Sequence, residues 1–106
     1  MLDIGIVHYQ MRAGGGFFDA KWHSTRLGTK AVGTGVARGD TSNGFAGDFV
    51  ITYFHPDGTE SGTFDLKIEK NGAVYDLSYS QHGKTLLLGV GMETEDGLAA
   101  GYRKIE

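Results

Sequence analysis

The sequence predicts an all-β protein in which about eight strands follow one another as an antiparallel meander and close into a small barrel. Three observations support this fold class. Apolar and polar residues alternate along most of the chain, turn sequences separate the alternating segments, and 18 of the 106 residues are glycine against one proline. No segment carries a 3.6-residue apolar repeat with capping residues, so we expect little or no helix.

The clearest strands lie in the second part of the chain. Segments 62–68 and 75–80 each place apolar residues at every second position, as expected for strands with one buried face. Between them, Lys70-Asn71-Gly72 is typical of a hairpin with a type I′ turn. Five consecutive strands joined by tight hairpins are therefore predicted from about Gly44 to Ile105.

The first 43 residues are less regular. Strands are predicted near Ile4–Met11, Phe17–Leu27 and Lys30–Arg38, which brings the total to about eight in a single domain of 106 residues. An open sheet of that length would expose two edges, whereas closure into a barrel removes both. Glycines within the strands allow a sheet to curve and so favour closure. A two-sheet sandwich is the alternative.

The charge and cysteine content exclude several classes of function. Ten Lys and Arg against 13 Asp and Glu give a net charge of −3, which argues against partners such as nucleic acid or a membrane surface. The chain has no cysteine, so a disulfide framework and a thiolate metal site are excluded. It also has no signal-peptide pattern and no apolar run long enough for a transmembrane helix. A cytoplasmic protein without a cofactor is expected.

Four side chains are candidates for acid–base chemistry. His8 and His23 fall in neighbouring predicted strands, and Asp48 and Asp76 lie on strand faces opposite the aromatic residues. If the aromatic residues form the core, both aspartates lie outside the barrel. The enzyme hypothesis, an isomerase, cyclase or hydrolase using one histidine and one aspartate, is therefore the alternative rather than the favoured function. The histidine spacing does not match a metal site.

Aromatic residues at every second position favour a binding function. Most such residues are core, but a buried tyrosine keeps a polar tip that can face a ligand. An eight-stranded barrel is either filled by side chains or wide enough for one small ligand. We therefore predict a non-catalytic binder of a small hydrophobic or aromatic molecule. The expected ligand-binding residues are Trp22, Phe49, Tyr53, Tyr75, Leu77, Tyr79 and Tyr102.

The meander, with Trp22 early in the chain and Arg103 in the last strand, resembles calycin-type barrels, the group that includes lipocalins, fatty-acid-binding proteins and avidins. In lipocalins a tryptophan of the first strand packs beneath an arginine near the end of the barrel. Here the usual Gly-x-Trp is replaced by Ala20-Lys21-Trp22, in the second predicted strand. The resemblance covers about Phe17 to Ile105 and implies a binder of a small apolar molecule.

Two apolar segments point to self-association. Phe17-Phe18 follows three glycines, and Leu86-Leu87-Leu88 has no polar alternation. The leucine segment is expected to be buried on both faces, either by a packed segment of the chain or by a dimer contact. A homodimer is therefore expected, and a purely structural subunit with a filled interior is a third hypothesis for the function.

Overall fold

The computed structural model describes residues 4–105, which form eight strands. They are β1 (Gly5–Met11), β2 (Phe17–Ser24), β3 (Gly33–Gly39), β4 (Gly47–Phe54), β5 (Glu60–Asn71), β6 (Val74–Gln81), β7 (Lys84–Thr94) and β8 (Gly97–Lys104). Each strand pairs antiparallel with the next, and β8 pairs with β1. The predicted antiparallel barrel is thereby confirmed, and the alternative of a sandwich is wrong. Within residues 4–105 no helix is long and apolar enough to cross a membrane.

The structure corrects the sequence prediction at three places. The second strand ends at Ser24 rather than Leu27, and the third begins at Gly33 rather than Lys30. Residues 25–32 form the loop between them. Asn71 pairs with Val74, which leaves Gly72 and Ala73 as the turn. Gly72 has a φ of +65° whereas Ala73 has a negative φ, which is the pattern of a type II′ turn. The two central residues of the turn therefore lie one position later in the chain than the Asn-Gly sequence predicts.

The third correction concerns the leucine segment. Leu86 and Leu87 are half-buried and Leu88 is 50% exposed, so the single chain does not bury this segment on both faces. Leu88 points away from the barrel because it is opposite Ser78, which lies between the inward-facing Leu77 and Tyr79. Burial of Leu88 therefore requires something outside the described chain.

The barrel interior is filled with side chains through its middle. The buried apolar residues are Val7, Tyr9, Phe18, Ala20, Trp22, Ala37, Phe49, Ile51, Tyr53, Leu66, Ile68, Tyr75, Leu77, Tyr79, Leu98 and Ala100. They occupy every second position of their strands, which is why the strand alternation predicted which side chains face inward. Their burial provides the main stabilisation of the fold.

The two ends of the barrel differ. Segment 40–46, which connects β3 to β4, covers the end that we call the closed end, where Phe45 packs edge-on against Phe18 at a centroid distance of 5.5 Å. At the opposite end, the open end, odd-numbered strands begin and even-numbered strands end. The candidate site lies at the open end.

Candidate functional site

A cavity of about 600 Å³ opens between the strand ends at the open end. Residues from β1, β2, β4, β5, β6, β7 and β8 and from the adjoining loops line it. The lining residues are Gly5, Trp22, Ser24, Arg26, Leu27, Tyr53, His55, Ser61, Phe64, Gln81, Leu86, Leu87, Tyr102, Arg103 and Lys104. The cavity wall is therefore apolar and aromatic, with polar and charged residues interspersed.

Two β-bulges shape the cavity wall. Tyr53 is opposite Gly62 but Phe54 is opposite Glu60, which leaves Ser61 as the extra residue of β5. Likewise, the pairing of β6 with β7 skips Leu86 between its partners on either side. A bulge breaks the alternation of side chains, so Leu86 and its neighbour Leu87 both line the cavity.

Trp22, the only tryptophan of the chain, is fixed at the cavity by two hydrogen bonds. Its indole N–H donates to the main-chain oxygens of Thr34 (2.9 Å) and Phe54 (3.0 Å). Its ring packs edge-on against Tyr53 at a centroid distance of 5.5 Å. The indole lies so close to β3 that a Cβ atom on Gly33 would be 2.4 Å from its nitrogen. Gly33 thus provides the space in which Trp22 is held.

Replacing Gly33 by alanine is expected to displace the indole. The added methyl group would also lie 2.5 Å from the carbonyl oxygen of Phe54, which is backbone and moves little. Overpacking of this kind lowers the free energy of unfolding by about 1–3 kcal/mol, and the fluorescence of Trp22 should shift because its hydrogen bonds are lost. Gly28→Ala is the control, since a Cβ there meets nothing within 4 Å. Equal stability and emission for both variants would contradict the packing described here.

Three tyrosine hydroxyl groups meet beneath the cavity. The hydroxyl oxygen of Tyr9 lies 2.5 Å from that of Tyr53 and 2.7 Å from that of Tyr79. Burial raises the pKa of all three phenols, well above the usual value for Tyr9 and Tyr53. These hydroxyls therefore stay protonated at neutral pH, and each is satisfied by another, so they form a neutral polar layer inside an apolar core.

Within the part of the chain that the structure describes, the charged side chains that line the cavity all carry positive charge. They are Arg26, Arg103 and Lys104, and no acidic residue between positions 4 and 105 lines the cavity. Lys104 is opposite Leu87 and shares the inward face of β8 with Tyr102. His55 adds an imidazole whose ring centroid lies 6.4 Å from that of Trp22. The positive charges of Arg103 and Lys104 favour an anionic group at the cavity.

The predicted binding residues divide between the cavity and the core beneath it. Trp22, Tyr53 and Tyr102 line the cavity, whereas Phe49, Tyr75, Leu77 and Tyr79 are buried and do not line it.

Two of the buried residues lie toward the closed end. Phe49 packs against Phe18 at a centroid distance of 4.7 Å. Tyr75 donates a hydrogen bond to the Glu93 carboxylate, which raises the pKa of Tyr75 to about 12. Period-two alternation predicted which residues face inward, but not their depth along the barrel axis.

The four candidate acid–base residues all lie on the outer wall. Nε2 of His8 is 3.4 Å from a carboxylate oxygen of Asp96, and Nδ1 of His23 is 2.9 Å from the Ala31 carbonyl oxygen. Asp48 and Asp76 are exposed, as expected if the aromatic residues form the core. The predicted histidine–aspartate pairs are not brought together. No group of three or more His, Cys, Asp or Glu side chains within residues 4–105 is placed to hold a metal ion.

The tryptophan and arginine of the lipocalin resemblance lie at the same end of the barrel. Trp22 and Arg103 both line the cavity, and the indole N–H bonds main-chain carbonyl groups of β3 and β4. The strands of this chain form a closed antiparallel meander. The chain matches no protein-family model and no curated protein.

Proposed function

We propose that this barrel binds, without catalysis, a small molecule that has an apolar or aromatic body and an acidic group. The binding site is the cavity at the open end. One observation carries the proposal: a cavity of about 600 Å³ combines an aromatic wall with charged lining residues that, among positions 4–105, are all cationic. Ligand pockets in proteins occupy roughly 300–1,000 Å³ and pair an apolar lining with a few polar groups.

The apolar body of the ligand would contact the wall of the cavity. Trp22, Tyr53, Phe64 and Tyr102 present aromatic rings there, and Leu87 adds aliphatic surface. Beneath them Tyr79 is fully buried, so the ligand would occupy the upper part of the barrel rather than its centre. Burial of its apolar surface would supply most of the binding free energy.

The acidic group would face the rim, where the cationic side chains lie. Lys104 shares the inward face of β8 with Tyr102, so its ammonium group can reach an anion above that ring. The rim is open to solvent, so an anion there keeps part of its hydration and loses little free energy on binding. A carboxylate bound by an ammonium group gains a charge-assisted hydrogen bond that a neutral head group lacks.

Titration with dodecanoate and with dodecanol separates the two parts of this proposal, with the fluorescence of Trp22 as the signal. Both compounds are expected to bind, and dodecanoate more tightly. Lys104→Met should weaken the binding of dodecanoate about tenfold and leave that of dodecanol unchanged. Phe64→Ala should weaken the binding of both.

Phe45→Ala is the matched control for Phe64→Ala. Phe45 is also a half-buried phenylalanine packed on the core, but it lies at the closed end, so its loss should not change either affinity. If neither compound changes the Trp22 signal, or if Phe45→Ala weakens binding as much as Phe64→Ala, the open-end cavity is not the binding site. Equal affinities for dodecanoate and dodecanol would contradict only the proposal that the ligand carries an acidic group, and the cavity would remain the binding site.

A further inference from the structure

The ring of Tyr102 is held in one place in the cavity wall. Tyr102 is paired with Gly5 on one side and with Gly89 on the other, so neither neighbouring strand places a side chain directly beside it. The ring lies over β1, because a Cβ atom on Gly5 would be 2.2 Å from the ring carbon that carries the hydroxyl. The ring of Tyr79 packs against it at a centroid distance of 5.7 Å. These contacts fix the position of the Tyr102 hydroxyl.

The hydroxyl of Tyr102 is the one tyrosine hydroxyl that has no hydrogen bond to residues 4–105, whereas the other four each have a partner there. No fully buried side-chain nitrogen or oxygen in that part of the chain lacks a partner, so this hydroxyl is not fully buried. Tyr102 faces inward and lines the cavity. Its hydroxyl therefore reaches the cavity rather than the outer wall.

The next polar side chain in the same row of the barrel does not serve as its partner. Ser24 of β2 is opposite Gly5 on the other side from Tyr102, and it also lines the cavity. The hydroxyl oxygen of Ser24 accepts a hydrogen bond from the main-chain nitrogen of Arg26, at 3.2 Å. The Ser24 hydroxyl thus holds the loop that follows β2, and the Tyr102 hydroxyl stays available to a ligand.

Toward a ligand the Tyr102 hydroxyl is a hydrogen-bond donor. Burial raises the pKa of this phenol, so the oxygen keeps its proton at neutral pH. The lone pairs of a phenol are partly delocalised into the ring, which makes the O–H group a better donor than acceptor. A ligand that covers the hydroxyl without accepting its proton removes it from water and leaves it unpaired, which weakens binding. The site therefore favours a ligand with an acceptor oxygen at this point.

This acceptor is separate from the acidic group of the ligand. Lys104, which would bind the acidic group, follows Tyr102 by two residues on the inward face of β8, a separation of about 7 Å along the strand. Lys104 is exposed whereas Tyr102 is half-buried. The ring of Tyr102 also extends away from β8, over Gly5. The two side chains therefore address different parts of one ligand.

We infer that the ligand carries, besides its acidic group, a carbonyl oxygen along its apolar body, and that the Tyr102 hydroxyl donates a hydrogen bond to this oxygen. The inference rests on the proposed function, because it concerns the same cavity. It narrows the ligand from apolar acids in general to oxo acids, in which an uncharged acceptor lies at a distance from the carboxylate.

The test compares dodecanoate with 4-oxo-, 7-oxo- and 11-oxododecanoate, again by the fluorescence of Trp22. The oxo acid whose ketone lies closest to the hydroxyl is expected to bind about tenfold more tightly than dodecanoate. Tyr102→Phe keeps the ring and removes the donor, so it should abolish this preference. Tyr75→Phe is the matched control: its hydroxyl bonds Glu93 and does not line the cavity, so the preference should persist.

The infrared spectrum of the bound ketone reports the hydrogen bond itself. A hydrogen bond to a ketone lowers its carbonyl stretching frequency, so the tightest oxo acid should absorb at a lower frequency in the wild-type chain than in Tyr102→Phe. If dodecanoate binds and no oxo acid binds more tightly, the inference is overturned while the proposed function stands. A preference that persists in Tyr102→Phe assigns the acceptor to another donor and also overturns the inference. If none of the four acids binds, the inference and the proposed function both fail.

Discussion

Replacing Phe18 by alanine is expected to lower the free energy of unfolding by about 3–5 kcal/mol, the usual effect of removing a buried phenylalanine. Phe18 is fully buried and packs edge-on against the rings of Tyr9, Phe45 and Phe49. Its removal leaves a cavity between the core and the segment that covers the closed end. Denaturant unfolding, followed by the fluorescence of Trp22, measures the change.

The adjacent residue provides the control for this prediction. Phe17 points outward, is 41% exposed and has its ring centroid 5.3 Å from the guanidinium carbon of Arg12. Phe17→Ala should therefore change the stability by about 1 kcal/mol or less. A register shifted by one residue would exchange the roles of the two phenylalanines. A larger loss for Phe17→Ala than for Phe18→Ala would show that the register described here is wrong.

The second large effect is expected at alkaline pH, where the folded barrel should lose stability steeply. All five tyrosines of the chain have a raised pKa. Burial is the main cause for four of them, and the hydrogen bond to Glu93 is the main cause for the fifth, Tyr75. In the unfolded chain each phenol has a pKa of about 10. The folded chain therefore holds more protons than the unfolded chain above that pH.

The sign of the pH effect follows from this difference in bound protons. Stability is fully present below a pH of about 10 and is lost as the pH rises further, by up to about 1.4 kcal/mol per pH unit for each tyrosine that stays protonated in the fold. The absorbance of tyrosinate should therefore appear together with the loss of the β-sheet circular dichroism signal. Tyrosinate absorbance near pH ~10, the usual value, in a chain that remains folded would contradict the buried hydroxyl cluster.

Tyr102→Phe isolates one contribution to the alkaline transition. Among residues 4–105, no hydrogen bond is made by the hydroxyl of Tyr102, so the substitution removes a titrating group without breaking a hydrogen bond. Burial raises the pKa of Tyr102. The variant should unfold over the same alkaline range but with a slope smaller by up to about 1.4 kcal/mol per pH unit.

Alternation and turn residues carried most of the information about the fold. Tyr75, Leu77 and Tyr79 are buried as their spacing predicts, and hairpins connect the last five strands. The position of each side chain along the barrel axis was not predictable, because it depends on the stagger between strands that pair only after folding. For this reason Trp22 and Tyr102 line the cavity while the three inward residues of β6 lie beneath it or toward the closed end.

Other residues that line the cavity could not be predicted from the alternation of apolar and polar residues. The sequence Leu86-Leu87-Leu88 is typical of a strand that is buried on both faces. In the structure Leu86 is instead the extra residue of a bulge, and Leu86 and Leu87 both line the cavity. His55 follows a strand in a turn sequence, where an imidazole is ordinarily solvated, yet its ring lies beside that of Trp22. A bulge adds one residue without a distinct sequence signature, so it is recognised only from the pairing of the strands.

The order of the strands also has a consequence for refolding. Seven of the eight ladders join strands that are adjacent in the sequence, and only the ladder between β1 and β8 joins distant segments. Until that ladder forms, the sheet has two free edges, β1 and β8. The side chains and register of β1 match those of β8, so each edge pairs with the other and not with a second copy of itself. Chains refolding at high concentration can therefore join head to tail, β8 of one to β1 of the next, into linear polymers. Dilution favours the closed barrel, because intramolecular pairing does not depend on concentration.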